Sequence, residues 1–436
     1  MSGPRLDDIT TKIGSGATPR GGEKVYRSSG IALIRSQNVY NDGFHSDGLA
    51  FIGDEHAAEL SHVEVKSGDV LLNITGDSVA RVCQVPDDVL PARVNQHVAI
   101  IRPRKDALNS RFLRYFLVSP VTQAHLHVLA SAGATRSALT KAMIEGLEIP
   151  RLPLHAQNAI AQILGSLDDK IELNRHMNAT LEAMARAIFK SWFVDFDPVH
   201  AKSEGRRPFT MEAETAALFP SSFENRLKRV PIGWGKGSIL KIARLLSGGT
   251  PKTDRKEYWN GSVPWASAAD VSQARKTFLI DTERTITERG LEESATQMIP
   301  AFSTVVVARG ATTGRMVLFG REMAMNQTCY ALSSTTETPL FLYCLLRNEI
   351  EGLVHAAHGS IFDTITTTTF GGSEVILPPQ PVMKNFETTV WPLFQRVLHN
   401  SVESETLAEI RDALLPKLIS SEIRVKVAKT PTGERV

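Results

Sequence analysis

The chain of 436 residues has only three cysteines, Cys83, Cys329 and Cys344, and no CxxC pair. That excludes a disulfide framework and a zinc finger, and points to buried free thiols in a reducing compartment. No apolar run approaches the ~20 residues needed to span a bilayer. The N-terminal MSGPRLDDITTK lacks the apolar stretch of a secretory leader, so a cytoplasmic protein is expected. A basic surplus is also missing. Lys and Arg number 49 against 47 Asp and Glu. Residues 1–150 hold 16 basic and 16 acidic side chains, and residues 231–377 hold 14 of each. A lone nucleic-acid binder would carry more positive charge. Either the basic groups cluster on one face, or a partner supplies much of the phosphate attraction.

Catalytic signatures are absent as well. No Asn-Pro-Pro-aromatic tetrapeptide of an amino-methyltransferase occurs. Gly233-Trp-Gly-Lys-Gly-Ser238 has the wrong glycine–lysine spacing for a phosphate loop and reads as a turn entering the next element. Asp54 with Glu64-Val-Lys66 is too short a match for a nuclease centre, since Ser67-Gly-Asp69 directly after it marks the end of a strand. His355 and His358 lie one helical turn apart without a third ligand. No catalytic residue and no metal site is assigned.

What the chain does have is a repeat. Ser15-Gly-Ala-Thr-Pro-Arg20 recurs 232 residues later as Ser247-Gly-Gly-Thr-Pro-Lys252, and at the same offset Asn38 meets Asp270 and Val39 meets Val271. Val70-Leu-Leu-Asn-Ile-Thr-Gly76 aligns with Thr304-Val-Val-Val-Ala-Arg-Gly310, and Asn95-Gln96 with Asn326-Gln327. Gly133 and Gly359 follow, each seven residues before a threonine (Thr140, Thr366), then Leu147–Pro150 and Val375–Pro378. The preserved order indicates a duplicated unit. Short β-branched runs such as Val98–Ile101 and Thr304–Val307 predict strands, while Leu108–Val118 and Leu340–Leu346 have helical character. The class is therefore α+β, with two similar mixed α/β domains.

Each unit closes on a heptad-like pattern. Ile160, Leu164, Leu167, Ile171, Asn174, Asn178, Leu181, Ala185, Ile188 and Trp192 alternate steps of four and three. Phe386, Val390, Leu393, Val397, Asn400, Ser404, Leu407, Arg411, Leu414 and Leu418 repeat them. Asn174 and Asn400 occupy equivalent seam positions, and a buried polar residue there penalises wrong registers. The two helices are expected to pair with each other as an antiparallel coiled coil about a pseudo-twofold axis. Ile160 to Trp192 amounts to ~50 Å of helix at ~1.5 Å per residue, which suits a spacer. Pro392 should kink or break the second helix, Gly165 should weaken the first, and Arg411 should reach outward past its neighbours.

Leu154-His-Ala-Gln-Asn-Ala-Ile-Ala-Gln-Ile-Leu-Gly-Ser-Leu-Asp-Asp-Lys-Ile-Glu-Leu-Asn-Arg175, continued by Leu181–Pro198, strongly resembles the central region of type I restriction-modification specificity subunits. Val230-Pro-Ile-Gly-Trp234, Ser247–Lys252, Tyr258-Trp259 and Val263-Pro-Trp265 resemble the start of that family's target-recognition domain. The first unit has no room for such an opening, so it is expected to be either trimmed or completed by the C-terminal tail, as in the circular arrangement of the family. The resemblance implies a non-catalytic subunit that reads an asymmetric bipartite site on double-stranded DNA, one domain per half-site. Its helices would dock methyltransferase subunits, two of them, in a complex with restriction/translocase subunits and no membrane. S-adenosylmethionine, ATP and Mg would sit on those partners, with no cofactor in this chain. The expected domains are 1–153 and 231–378 (recognition), 154–196 and 379–422 (long helices), 197–230 (linker) and 423–436 (tail).

Base readout needs exposed polar side chains on a rigid scaffold. The candidates are Arg20, Arg35, Gln37, Thr75, Asp77, Ser78, Arg81 and Arg136 in the first unit. In the second they are Lys252, Arg255, Lys256, Arg309, Thr312, Thr313 and Arg315. Gly76 and Gly310 are assigned to turn geometry. Two alternatives stay open from sequence. One is a specificity component paired with a single bifunctional restriction-methylation enzyme, and the other is a scaffold that binds proteins without reading DNA.

Overall fold

A computed structural model of the chain describes residues 3–131, 137–209, 211–224, 230–274, 276–357 and 364–425. The chain forms two compact units, one of Met1–Ile171 with Thr406–Val436 and one of Glu172–Glu405.

In the first unit, Thr10–Ser15, Val98–Pro103, Val70–Asn73 and Val82–Gln84 form an antiparallel sheet in that order. A second sheet orders Ala50–Ile52, Ile31–Ile34, Ala92–Val94 and Glu64–Val65, with a parallel pair at its centre. The second unit repeats the plan. Ala243–Ser247, Cys329–Ser334, Thr304–Val307 and Met316–Phe319 reproduce the first order, and Phe278–Leu279 adds a parallel edge strand. Arg284–Ile286, Trp259–Ala266 and Ala324–Met325 reproduce the first three strands of the second, again with the last two of them parallel. Runs such as Val70–Asn73 and Thr304–Val307 are buried at every position, because sheet packs on one face and helix on the other. Helices Ser110–Val118 and Pro339–Ala357 fill equivalent places. The α+β class and the duplication hold, and the tertiary structure adds the topology. Gly235–Gly237, expected to be a turn, is a short strand paired with Val375–Leu377.

The three thiols are free and buried. Burial pushes Cys83 and Cys329 up to about 12, so neither ionises near neutrality. Residues 197–230, expected to link, carry helices Asp197–Ser203 and Ala213–Ala217, and Val199, Met211, Ala216 and Phe219 enter the second core.

The two long helices run unbroken over Leu154–Phe193 and Gln380–Ile419. In the second unit they pair antiparallel. Phe189, Trp192 and Phe193 make edge-on ring contacts with Phe386, and Leu181 and Ile188 pack on the same core as Val390, Leu393 and Val397. Farther along lies a polar layer. Asn174 donates to Glu403 (2.8 Å) and Ser404 (3.3 Å), Asn400 donates to Asn178 (2.9 Å), and Asn178 donates to Ser401 (3.3 Å). Asn174 and Asn400 are fully buried. Every side-chain amide finds a partner in this register, and a shift would strand them.

In the first unit, Ile160, Leu164, Leu415 and Leu418 share one core, with Leu414, Ile419 and Val425 packed against it. The C-terminal segment thus completes this unit. Leu167, Ile171 and Leu407 are half-buried.

Three expectations about these helices are corrected. Pro392 does not break its helix: it sits on the exposed face between Val390 and Phe394, whose burial holds the turn together, and Phe394 rather than Leu393 is the fully buried residue there. Gly165 is not a weakness, since a Cβ there would lie 2.7 Å from the Arg111 guanidinium, which bonds the Gly165 carbonyl and Asp169. Arg411 turns inward instead of outward and donates to Asp168 at 2.8 Å. Asp168 also accepts from Arg114 (2.5 Å) and Tyr115 (2.6 Å).

Burial alone would raise the Asp168 pKa, but the Arg114 charge and the bonds from Tyr115, Arg411 and Arg114 hold it below its ordinary 3.8. Glu387 behaves oppositely. It accepts from the Leu340 and Phe341 amides, and burial pushes its carboxyl up to about 7. Asp168 binds its proton less readily folded than unfolded, so it stabilises above its ordinary range and that contribution vanishes as pH falls through the folded value. Glu387 holds a proton in the folded state that the unfolded chain has released, so stability declines as pH rises from about 4.5 to about 7. Denaturant titration of Asp168→Asn should show a loss of about 3 kcal/mol at pH 7 that shrinks below about pH 4. For Glu387→Gln the decline between pH 4.5 and 7 should flatten; a wild-type slope in both variants would contradict these assignments.

Candidate nucleic-acid interface

The best-matched parts of the two units are loops at one end of the larger sheets, residues 74–81 and 308–315. In the first, Val79 N bonds Gly76 O (3.0 Å), Ala80 N bonds Asn73 O (2.9 Å) and Asn73 N bonds Arg81 O (2.9 Å). In the second, Thr313 N bonds Gly310 O (3.1 Å), Gly314 N bonds Val307 O (2.9 Å) and Val307 N bonds Arg315 O (2.8 Å). Each loop is also tied sideways. Ile74 N bonds His97 O and Ala308 N bonds Thr328 O, while Leu139 N bonds Ile74 O and Ile365 N bonds Ala308 O. Gly76 and Gly310 have φ of 74° and 96°, and Ala80 and Gly314 have 70° and 89°. The backbone is the same; the side chains are not. Thr75 corresponds to Arg309, Asp77 to Ala311 and Ser78 to Thr312, whereas Arg81 and Arg315 match. A rigid frame carrying divergent polar groups is what recognition of two different base sequences requires.

Beside each loop stands the Ser-Gly-x-Thr-Pro turn. Gly16 lies against the Val94 and Asn95 carbonyls so closely that a Cβ would approach within 2.1 Å, and Gly248 lies equally close to the Met325 and Asn326 carbonyls. This brings the Thr18 hydroxyl onto Gln96 Oε1 and the Thr250 hydroxyl onto Gln327 Oε1. Thr75 bonds His97 Nδ1 at 2.7 Å, and Gln96 Nε2 approaches His97 Nε2 at 3.1 Å. Thr75, Thr18, Gln96 and His97 therefore form one cluster. The sequence candidates omitted Thr18, Gln96 and His97, and likewise Thr250 and Gln327, although the repeated Thr and Gln were visible as matches.

The other candidates are distributed as follows. Arg20, Lys252 and Lys256 are exposed, as are Asp77, Arg309, Thr312 and Arg315. Arg81 lies over the Tyr40 ring at 4.5 Å, and that ring stacks on His45. Arg35 and Gln37 both donate to Gly48 O, at 2.7 and 3.1 Å, and Arg35 also lies over Tyr26, so these two brace a loop. Arg255 bonds the Tyr258 hydroxyl, which donates to Glu293. Thr312 accepts from Ser272 (2.7 Å), and Thr313 donates to Gly310 O (2.7 Å). Trp259 and Trp265 pin the Gly249–Lys252 turn through their indole N–H groups, and Arg284 covers Trp259. Arg136 and His358 lie outside the described residues. Among the described residues no group of three His, Cys, Asp or Glu could hold a metal ion, and no helix is long and apolar enough to cross a membrane.

Two related α+β units with equivalent loop frames, each packed with long helices, make a duplicated architecture. Residues 5–183 and 231–385 match the type I restriction modification DNA specificity domain, and the chain belongs to that family. The HindI specificity subunit of Haemophilus influenzae is 29% identical over 439 residues, covering 90% of this chain and 94% of that one. The MjaIX specificity subunit of Methanocaldococcus jannaschii is 28% identical over 429 residues, covering 97% and 93%. The fold resembles the crystal structure of the type I restriction-modification S subunit from M. genitalium, with a TM-score of 0.56 at 15% identity over 97% of this chain and 96% of that one.

The left-handed positions offer a stability test. Gly314→Ala should cost about 1–2 kcal/mol, because φ is 89° and the new Cβ would lie 2.6 Å from Val354. Ala80→Gly should be neutral or slightly stabilising, since it relieves the same strain. Equal losses in both variants, measured by thermal unfolding, would refute the shared loop geometry.

Proposed function

We propose that this chain is the DNA-specificity subunit of a type I restriction-modification complex, reading one half of an asymmetric split sequence with each unit. The observation that carries the reading is one loop backbone held identically in both units under different side chains. Arg309, Thr312 and Arg315 in one loop, and Thr75, Asp77, Ser78 and Arg81 in the other, are the base-reading candidates, with Arg20, Lys252 and Lys256 placed for phosphate. Arg136 stays among the candidates from its sequence position. Arg35 and Gln37 act by bracing the segment at Gly48, Arg255 by holding Tyr258, and Thr313 by bracing its own loop.

The chain performs no chemistry of its own. Two methyltransferase subunits dock on the long helices, restriction/translocase subunits join them, and S-adenosylmethionine, ATP and Mg reside on those partners. Their basic surfaces would supply the attraction that a net charge of +2 does not. Helix length sets the number of unread base pairs between the half-sites, and the complex works in the cytoplasm.

Replacing residues 1–150 with the same region of a relative, then mapping genomic methylation, should alter one half-site only; changes in both halves would sink the modular reading. Arg309→Ala should relax discrimination at one base pair of one half-site by about 1–3 kcal/mol. Removing seven residues from both helices should shorten the spacer, and an active complex with an unchanged spacer would count against helix length as the measure.

A further inference from the structure

The Thr18–Gln96 and Thr250–Gln327 pairs have no evident structural duty, yet they recur. A hydrogen bond between exposed side chains adds at most about 1 kcal/mol to a fold, and all four residues are exposed. Their surroundings have diverged: His97 stands where the second unit has Thr328, Thr75 where it has Arg309, and Asp77 where it has Ala311. The glycines that seat each threonine accept backbone approaches no larger residue could. What two readers of different sequences have in common is the sugar–phosphate backbone, which every sequence presents alike. A residue pair that is the same in both does not by itself distinguish the two half-sites.

The chemistry of the pair agrees. Each threonine hydroxyl donates to the glutamine Oε1. That engages one lone pair of the carbonyl oxygen, turns it toward the threonine, and leaves the amide nitrogen as a donor. Gln96 Nε2 has one approach from His97 and keeps a second hydrogen. An outward amide donor fixed by its own oxygen suits an anionic oxygen.

We propose that Gln96 and Gln327 donate to backbone phosphates at equivalent places in the two half-sites, each oriented by its threonine. This inference rests on the specificity reading above and adds to it the ligand atoms these residues meet.

The test uses the chain assembled with its methyltransferase subunits, and duplexes carrying the mapped site or single base-pair changes in either half. Gln96→Ala and Gln327→Ala should weaken binding about fivefold on matched and altered duplexes alike, leaving the discrimination ratio unchanged. Gln96→Glu and Gln327→Glu can still accept from the threonine hydroxyl, so melting should be unaltered, while binding should fall more than tenfold through repulsion of phosphate. Three results would overturn the proposal: glutamate variants that bind like wild type, a discrimination change confined to one base pair, or alanine variants with unchanged affinity. A wild-type complex that does not prefer the mapped duplex would instead overturn the specificity reading, and this inference with it.

Discussion

Backbone bonding at the end of the larger sheet in each unit lets two loops keep one main-chain course under different side chains. Residues 74–81 and 308–315 are held by main-chain groups of their own strands and of neighbouring segments. One duplicated frame thus carries two different sets of side chains.

The helices obey a stricter constraint. In the second unit the Asn174, Asn178 and Asn400 amides satisfy one another and the neighbouring serines, so register is specified by polar groups that tolerate no misfit. In the first unit the same task falls to charge. Asp168 gathers Arg114, Tyr115 and Arg411, and Arg114 reaches on to the Asn41 carbonyl. Asn41 in turn accepts from Val82 N, next to Arg81. A helix face and a reader loop are thus joined through three residues. The second unit has Phe394 where Asp168 would fall by the helix repeat, so the duplication is one of architecture rather than of internal chemistry.

Much of this was legible in the sequence. Duplication, α+β class and two long amphipathic helices follow from spacing, because apolar periodicity and turn residues answer to local geometry. Individual seam positions were less certain, since Pro392 and the drift of a 3.6-residue helix against a heptad moved the buried role to Phe394 and Leu415. The recognition candidates were chosen by residue type and exposure, which cannot separate a residue that reads from one that braces. Arg35 and Gln37 look free in sequence and are spent on the Gly48 carbonyl.

The sequence by itself determined that there are two repeats, that each ends in a heptad-patterned segment with an asparagine at the equivalent seam position, and that the family resemblance runs through nearly the whole chain. These are properties of order along the polymer. Only the tertiary structure decided sheet order, the inward course of Arg411, the close seats of Gly16 and Gly248, and the meeting of Thr18 with Gln96 and of Thr250 with Gln327. Each depends on groups dozens to hundreds of residues apart brought within bonding distance, and long-range closeness leaves no local pattern to read.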